Sequence, residues 1–283
     1  MKPLLKWAGG KARLAPQIEA AFGGPCAGRY VEPFVGSGAV FLWRRAHGRV
    51  DSAVLADANP KLVAFHLAVR DAVDDVLGEL ARLPVRGYRE AYYATRDAFN
   101  DGPHHGPRHA ARFLWLNRAG YNGLYRENRD GGYNVPVGSY AEVRLPDESE
   151  IRQVSGLLQG AELRVGSFEE TLRVAGSRSQ VYCDPPYVPL TQSASFTAYC
   201  KAVFGMREQS RLADEAVRAA CRGAVVVLSN HDLPVVRREL YPEASGFRVV
   251  ARPEVSRAIS RDVHTRKPIA EVIACIGPLV RVA

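Results

Sequence analysis

Apolar positions along this chain arrive in short runs that stop at turn residues and then change to helical spacing. From Tyr30 to Phe34 such a run ends in Gly36-Ser37-Gly38, and Val40, Phe41, Leu42 and Trp43 continue it as a helix. A second run, Ala53 to Ala56, stops at Asp57, after which Asn59-Pro60 opens a helix through Leu62, Val63, Phe65, His66 and Val69. Strand, helix, strand, helix in that order predicts a parallel sheet. Between about residue 70 and residue 160 the alternation lapses. Amphipathic segments at Val73 to Leu83 and Tyr88 to Phe99 replace it, followed by a stretch dense in His, Arg, Tyr and Asn from His104 to Arg129. A Gly131-Gly132 turn and an aromatic, Pro-containing segment from Tyr133 to Tyr140 complete it. Strands resume at Glu162 to Val165, Gln180 to Cys183, Ala224 to Leu228, Phe247 to Val250 and Ala270 to Ile276, with a helix from Met206 to Arg222. The pattern predicts an α/β sheet domain built from residues 1–69 and 161–283, interrupted by a small, mainly helical domain over 70–160.

With 283 residues the chain is long enough for two average domains, or one large domain carrying an insertion. Hydrophobic residues at 47% and charged residues at 24% exclude fibrous and low-complexity classes. A formal charge of +8 favours a polyanionic partner. Without a long apolar window or a signal-type N-terminus, a cytoplasmic protein that does not enter membranes is expected. Cys26, Cys183, Cys200, Cys221 and Cys275 form no C-x-x-C pair and read as idle or buried thiols. His104, His105 and His109 stand among Gly and Pro without a carboxylate or Cys at ligand spacing, which predicts a surface loop and no metal.

Two turns carry candidate chemistry. Gly36 and Gly38 let the backbone bend sharply after the first strand and approach a ligand, but Phe41 stands where a dinucleotide fingerprint needs its third glycine. Asp57, 19 residues after Gly38 at the end of the second strand, can accept both hydrogen bonds of a ribose diol. A plain tight turn and a helix-capping carboxylate are equally compatible with these residues. Asp184-Pro185-Pro186-Tyr187 is sharper. Two prolines after a strand cannot extend the sheet, so they place an open loop at its C-terminal edge, where open α/β sheets bind ligands. There the Asp184 carboxylate and the Pro185 carbonyl can both accept from one NH2 group, while Tyr187 offers a flat face. Such a pair suits an aromatic exocyclic amine whose delocalised lone pair must be localised before it attacks a methyl carbon.

Lys6-Trp7-Ala8-Gly9-Gly10-Lys11, Val31-Glu32-Pro33-Phe34-Val35-Gly36-Ser37-Gly38, Asp184-Pro185-Pro186-Tyr187 and Leu228-Ser229-Asn230-His231-Asp232 together, and in this order, resemble the Dam-type (D12 class, alpha group) DNA adenine methyltransferases over nearly the whole chain. The resemblance implies a Rossmann-like methyltransferase sheet with an inserted target-recognition domain containing a β-hairpin. It implies S-adenosyl-L-methionine as methyl donor, held by Trp7, Lys11, Phe34, Gly36, Gly38, Asp57, Ser167, Phe168 and Asp184. Trp7 would supply an aromatic face and Lys11 a cation for the methionine carboxylate. Asp184, Pro185 and Tyr187 are then the catalytic set. Pro25-Cys26 is similar to the nucleophilic pair of cytosine-C5 methyltransferases, but it precedes the glycine loop and is rejected as a nucleophile.

An adenine amine in a duplex is paired, so this reading needs the nucleotide extruded into the Asp184 loop, where Tyr187 stacks on it. Within residues 117–126 and 134–138, Tyr121 resembles the family's wedge and Asn122 its neighbour at the orphan thymine. Arg126 would read a guanine bidentately, Leu124 and Pro136 would touch pyrimidine edges, Lys6 would contact the outer guanine, and Tyr140 is a further DNA-contact candidate. These matches imply double-stranded DNA as partner, GATC as site and a monomeric enzyme. Ser139 replaces the family's basic residue and Ala141-Glu142-Val143 a basic, aromatic run, which alters the expected backbone contacts. Arg257, Arg261, Arg266 and Lys267 are candidates to follow phosphates. The same chemistry on RNA or a protein amide, and an inactive DNA-binding homologue, are the competing readings.

Overall fold

The computed structural model describes residues 2–190, 204–255 and 269–278. Its centre is a sheet whose strands are buried on both faces, as parallel strands covered by helices must be. Strands β1 (Arg29–Glu32), β2 (Ser52–Asp57), β3 (Ala161–Val165), β4 (Gln180–Cys183) and β5 (Val225–His231) are parallel, and β8 (Ile269–Ile276) runs antiparallel between β5 and β6 (Arg248–Ala251). A short β7 (Glu254–Val255) pairs with β8 off the main path. The order is β3-β2-β1-β4-β5-β8-β6. The chain therefore moves outward from β1 to β3 and returns to the other side of β1 at β4. That reversal opens a crevice at the C-terminal ends of β1 and β4, where the Gly36 and Asp184 turns both lie. β5 runs on through Ser229-Asn230-His231, three residues beyond the expected strand end.

Side-chain alternation divides the core. Tyr30, Tyr182 and Val227 face one layer, with α1 (Ala15–Phe22), α2 (Ala39–Ala46) and α3 (Pro60–Asp71). Val31, Val181 and Val226 face the other, with α8 (Phe168–Leu172) and α9 (Met206–Cys221). Asn59 caps α3, its side chain accepting from the backbone of Lys61 and Leu62, with Pro60 at the first helical position as the sequence predicts. No helix among the described residues is long and apolar enough to cross a membrane.

The insert is α4 (Val73–Ala81), α5 (Tyr88–Asp101), α6 (Gly106–Ala119) and α7 (Glu148–Leu158). His104 and His105 lie in the expected exposed loop, and α6 corrects the expectation for His109 alone. His109 is buried in α6, stacks on Phe99 at 4.9 Å between ring centroids and donates from Nε2 to the Lys61 carbonyl at 2.9 Å. Burial holds its imidazole down at about 4, so it stays neutral. The helix escaped the pattern because it is buried on nearly every side, which removes the 3.6-residue stripe. Phe65 of α3 packs on Phe113 of α6, so insert and sheet layer share one apolar cluster.

The expected hairpin is an antiparallel excursion fastened by two single bridges, Gly120 to Val137 and Glu127 to Tyr133, rather than a full ladder. Pro136 lacks an N–H, and Asn122 sits in the left-handed region at φ 54°, which Asn tolerates better than most residues. Side chains of α5 satisfy the backbone instead. Tyr88 donates to the Gly138 carbonyl at 2.7 Å, Tyr92 to Val135 at 2.9 Å, and Asn100 bonds both backbone groups of Tyr133.

Asn117, near the end of α6, is the joint between the insert and the N-terminal segment. Its Oδ1 accepts from the Lys6 amide at 2.8 Å, while Nδ2 donates to the Lys6 carbonyl at 2.8 Å and to the Gly123 carbonyl at 3.0 Å. Arg118 donates to the Leu4 carbonyl beside it. A Leu at 117 strips partners from three backbone groups. Asn117→Leu is expected to cost roughly 2–4 kcal/mol in urea unfolding, at a penalty of about 1–3 kcal/mol for each buried unsatisfied group. A loss within about 0.5 kcal/mol, typical of surface changes, would show the joint to be dispensable.

Candidate active site

The glycine turn is shaped by what crosses it. Gly36 has φ 50°, and a Cβ there would lie 3.1 Å from the Trp7 indole, so the N-terminal segment passes directly over the loop. Gly38 caps α2. The Gly36 amide donates to Asp57 Oδ2 at 3.1 Å and the Asn59 amide to Oδ1 at 3.0 Å. Asp57 is thereby locked across the turn, and each oxygen keeps a further lone pair for an incoming hydroxyl. Burial raises its pKa, with the backbone donors opposing the rise. From below, His66 Nε2 donates to the Gly36 carbonyl at 2.8 Å.

An aromatic wall stands beside this turn. Phe34 and Phe168 stack at 5.8 Å, and Phe204 meets both at 5.7 Å. Ser167 caps α8, its hydroxyl accepting from the Glu170 amide at 3.2 Å, so its side chain orders the helix that carries Phe168.

The Asp184 turn is held from three sides. Gln209 of α9 donates to the Pro186 carbonyl at 2.7 Å. Asn230 of β5 accepts from the Val188 amide at 3.1 Å and donates to Gln209 at 3.1 Å. The His231 ring bonds the Val188 carbonyl at 2.6 Å and meets Tyr187 edge-on at 4.9 Å. Pro185 is buried, and among the described residues its carbonyl has no hydrogen-bond partner.

Lys11, expected in the same site, lies against Asp184. Its ammonium is 3.1 Å from Asp184 Oδ1, 2.5 Å from the Gly9 carbonyl, 3.9 Å from Glu271 Oε2 and 4.6 Å from the centre of the Tyr187 ring. Tyr187 donates its hydroxyl to Glu271 Oε2 at 3.0 Å. Asp184 Oδ1 is inaccessible to solvent, and among the described residues Lys11 is its ion-pair partner. Burial pushes the Asp184 carboxyl above the ordinary aspartate range, against the pull of Lys11, and pushes the Tyr187 phenol well up.

Lys6, Tyr121, Asn122, Pro136 and Tyr140 gather at the mouth of this crevice. A Cβ on Gly123 would fall 2.5 Å from Lys6 Cβ, and the Lys6 ammonium lies 5.1 Å over the Tyr140 ring. Tyr140 donates to the Gly120 carbonyl at 3.2 Å, and the Tyr121 amide donates to the Pro136 carbonyl at 2.9 Å. Tyr121 is 43% exposed, unusual for a large aromatic, and Asn122 and Pro136 are exposed as well. Leu124 is half-buried against the core. Arg126 is exposed, and its Nε and Nη2 donate to the side chain and carbonyl of Asn134. Tyr125 turns the other way and packs on Trp7 at 5.4 Å, while Lys61 bridges to Glu127 at 2.9 Å. Arg257, Arg261, Arg266, Lys267 and Cys200 lie outside the described residues.

Sequence reading missed Gln209, Phe204 and Glu271. Gln209 stood out as the polar residue on the apolar stripe of α9, and Glu271 as the only charge in the run from Ile269 to Ile276. Cys26 precedes β1 and so lies at the opposite edge of the sheet from Asp184, with its thiol pushed up by burial.

Residues 7–253 match the sequence model of the D12 class N6 adenine-specific DNA methyltransferases. The chain is 39% identical to a DNA adenine methylase of Vibrio cholerae and 38% identical to one of Escherichia coli, each over 280 residues, covering 98% of this chain and 96% of the relative. A type II methyltransferase, M.MjaIII, of Methanocaldococcus jannaschii is 36% identical over 243 residues, 81% of this chain and 84% of the relative. With the crevice, its carboxylate and the match along nearly the entire length agreeing, this chain belongs to the D12 class N6 adenine-specific DNA methyltransferase family.

Proposed function

We propose that the protein transfers the methyl group of S-adenosyl-L-methionine to the 6-amino nitrogen of an adenine rotated out of duplex DNA, within GATC. The observation that carries this reading is Asp184: a carboxylate at the switch-point crevice, its Oδ1 closed to solvent and charge-compensated by Lys11. Its remaining lone pairs are the acceptors that the target amine needs.

The chain's own residues fit the donor. Phe34, Phe168 and Phe204 offer apolar faces for an adenine ring, Asp57 has lone pairs for two hydroxyls, and Trp7 closes over Gly36. When bound, S-adenosylmethionine supplies an electrophilic methyl carbon. Asp184 and the Pro185 carbonyl accept the two hydrogens of the target amine, which draws its lone pair out of conjugation and aims it. Asp184, kept basic by burial, is placed to take the proton the nitrogen sheds. Tyr187 packs on the base. Residues 1–69 and 161–283 do this work, and 70–160 read the duplex. Tyr121 fills the gap left by the extruded base, with Asn122 beside the orphan thymine. Arg126 leaves Asn134 for a guanine, Lys6 meets the outer guanine, and Leu124 and Pro136 touch pyrimidines.

Plasmid treated with the protein and S-adenosylmethionine is expected to become resistant to a nuclease blocked by adenine methylation at GATC; unaltered digestion would overturn the reading. Asp184→Ala is expected to cut transfer by at least about 100-fold. Duplex binding, read by fluorescence anisotropy, should stay within about threefold, because Asp184 neutralises no phosphate. Transfer requires ionised Asp184, so activity is expected to fall with pH along an acid limb above the ordinary aspartate range; a limb at or below that range would contradict the buried carboxylate. Arg126→Ala is expected to lose about 1–3 kcal/mol of discrimination at one guanine, measured by kcat/KM on single-substituted duplexes. Equal selectivity would remove Arg126 from the reading surface.

A further inference from the structure

We propose that Glu271 is the alternate seat of the Lys11 ammonium: Lys11 lies between Asp184 and Glu271 and shifts toward Glu271 when the substrate amine engages Asp184. The inference rests on the amine-methylation reading of the Asp184 loop. Its origin is a conflict in the geometry of this pair. The incoming NH2 group and the Lys11 ammonium, 3.1 Å from Oδ1, compete for lone pairs of the same carboxylate. Lys11 cannot retreat to water, because its side chain is only 5% exposed, and an unpaired buried ammonium is strongly disfavoured.

Glu271 resolves the conflict. Its Oε2 lies 3.9 Å from Lys11 Nζ, less than 1 Å farther than Asp184, and its side chain is 12% exposed. The Tyr187 hydroxyl, donating to Oε2 at 3.0 Å, fixes that oxygen in position. The Gly9 carbonyl bonds Nζ at 2.5 Å and serves as the pivot. An ammonium has three hydrogens, so it can keep Gly9 while the second partner changes from one carboxylate to the other. No proton moves in this exchange, and the cluster retains two carboxylates and one cation throughout. Tyr187 would thereby link the shift to the base, since the residue that tethers Glu271 is also the one that flanks the entering ring.

Glu271 acts through Lys11 and Asp184, so it is a positioning residue, and its signature is a pH profile. The groups facing Asp184 are Lys11 from the N-terminal segment, Glu32 from β1, Tyr182 and Cys183 from its own strand, Tyr187 from its own loop, Tyr241 from the turn after β5, and Glu271 from β8. Among these, Glu271 raises the Asp184 pKa by like-charge repulsion. The acid limb belongs to the cluster as a whole.

Glu271→Gln keeps an acceptor for the Tyr187 hydroxyl and removes the charge. Single-turnover methyl transfer by the full chain with S-adenosylmethionine and a GATC duplex is expected to slow roughly tenfold or more. DNA and cofactor affinities should hold within about threefold. The acid limb should move to lower pH by roughly half a unit or more. Glu271→Asp, which keeps the charge, should leave the limb at its wild-type position and recover part of the rate. A slow Glu271→Gln variant with an unmoved limb, an unchanged rate, or a Glu271→Asp variant whose limb moves as far as that of Glu271→Gln would each overturn the proposal. Wild-type protein that fails to methylate adenine would instead refute the underlying function.

Discussion

The site is organised around one buried ion pair, Lys11 with Asp184, at the point where the sheet reverses its winding. A carboxylate at the end of a covered strand is costly unless a counter-charge comes to it. The chain supplies that charge from a segment more than 170 residues away, so the N-terminus is drawn across the Gly36 turn and over the mouth of the crevice. Once Lys11 is committed there, Trp7 must lie on Gly36 and Lys6 beside Gly123, because only a few bonds separate them. Compensating one charge thus fixes both the covering of the Gly36 turn and the contact with Gly123.

The second constraint is the rigid support of the short turns that do the chemistry. Neither the Asp184 loop nor the Tyr121 loop has a regular ladder of its own, and isolated backbone groups in such loops need partners. Amides and phenols provide them. Gln209 and Asn230 hold the first loop, and Asn117, Asn100, Tyr88 and Tyr92 hold the second. Directional hydrogen bonds permit one geometry where apolar packing alone permits several. Trp7 against Tyr125 and Lys61 against Glu127 then tie the Tyr121 loop to the N-terminal segment and to α3.

Within this arrangement the pattern of apolar runs revealed β1 to β5, most plainly β4 and β5, whose burial on both faces leaves a direct mark on composition. It failed at α6, whose burial on nearly all sides erases helical periodicity, and at the hairpin, whose backbone is satisfied by side chains remote in sequence. Asp57 lay open between ribose ligand and cap; in the fold its Oδ2 holds the Gly36 amide of the glycine turn while its Oδ1 holds the Asn59 amide at the start of α3, and the first of these contacts was in neither local reading.

By itself the sequence determined the order of elements and the two turns at the strand ends, and it singled out Asp184 as the candidate carboxylate, because each is written in residues within a few positions of one another. Only the tertiary structure decided that Lys11 serves Asp184, that Glu271 stands within reach of both Lys11 and Tyr187, and that Asn117 clamps Lys6 to Gly123. Those contacts join strands and segments separated by up to 260 positions, and no local pattern encodes which distant charge a buried carboxylate will face.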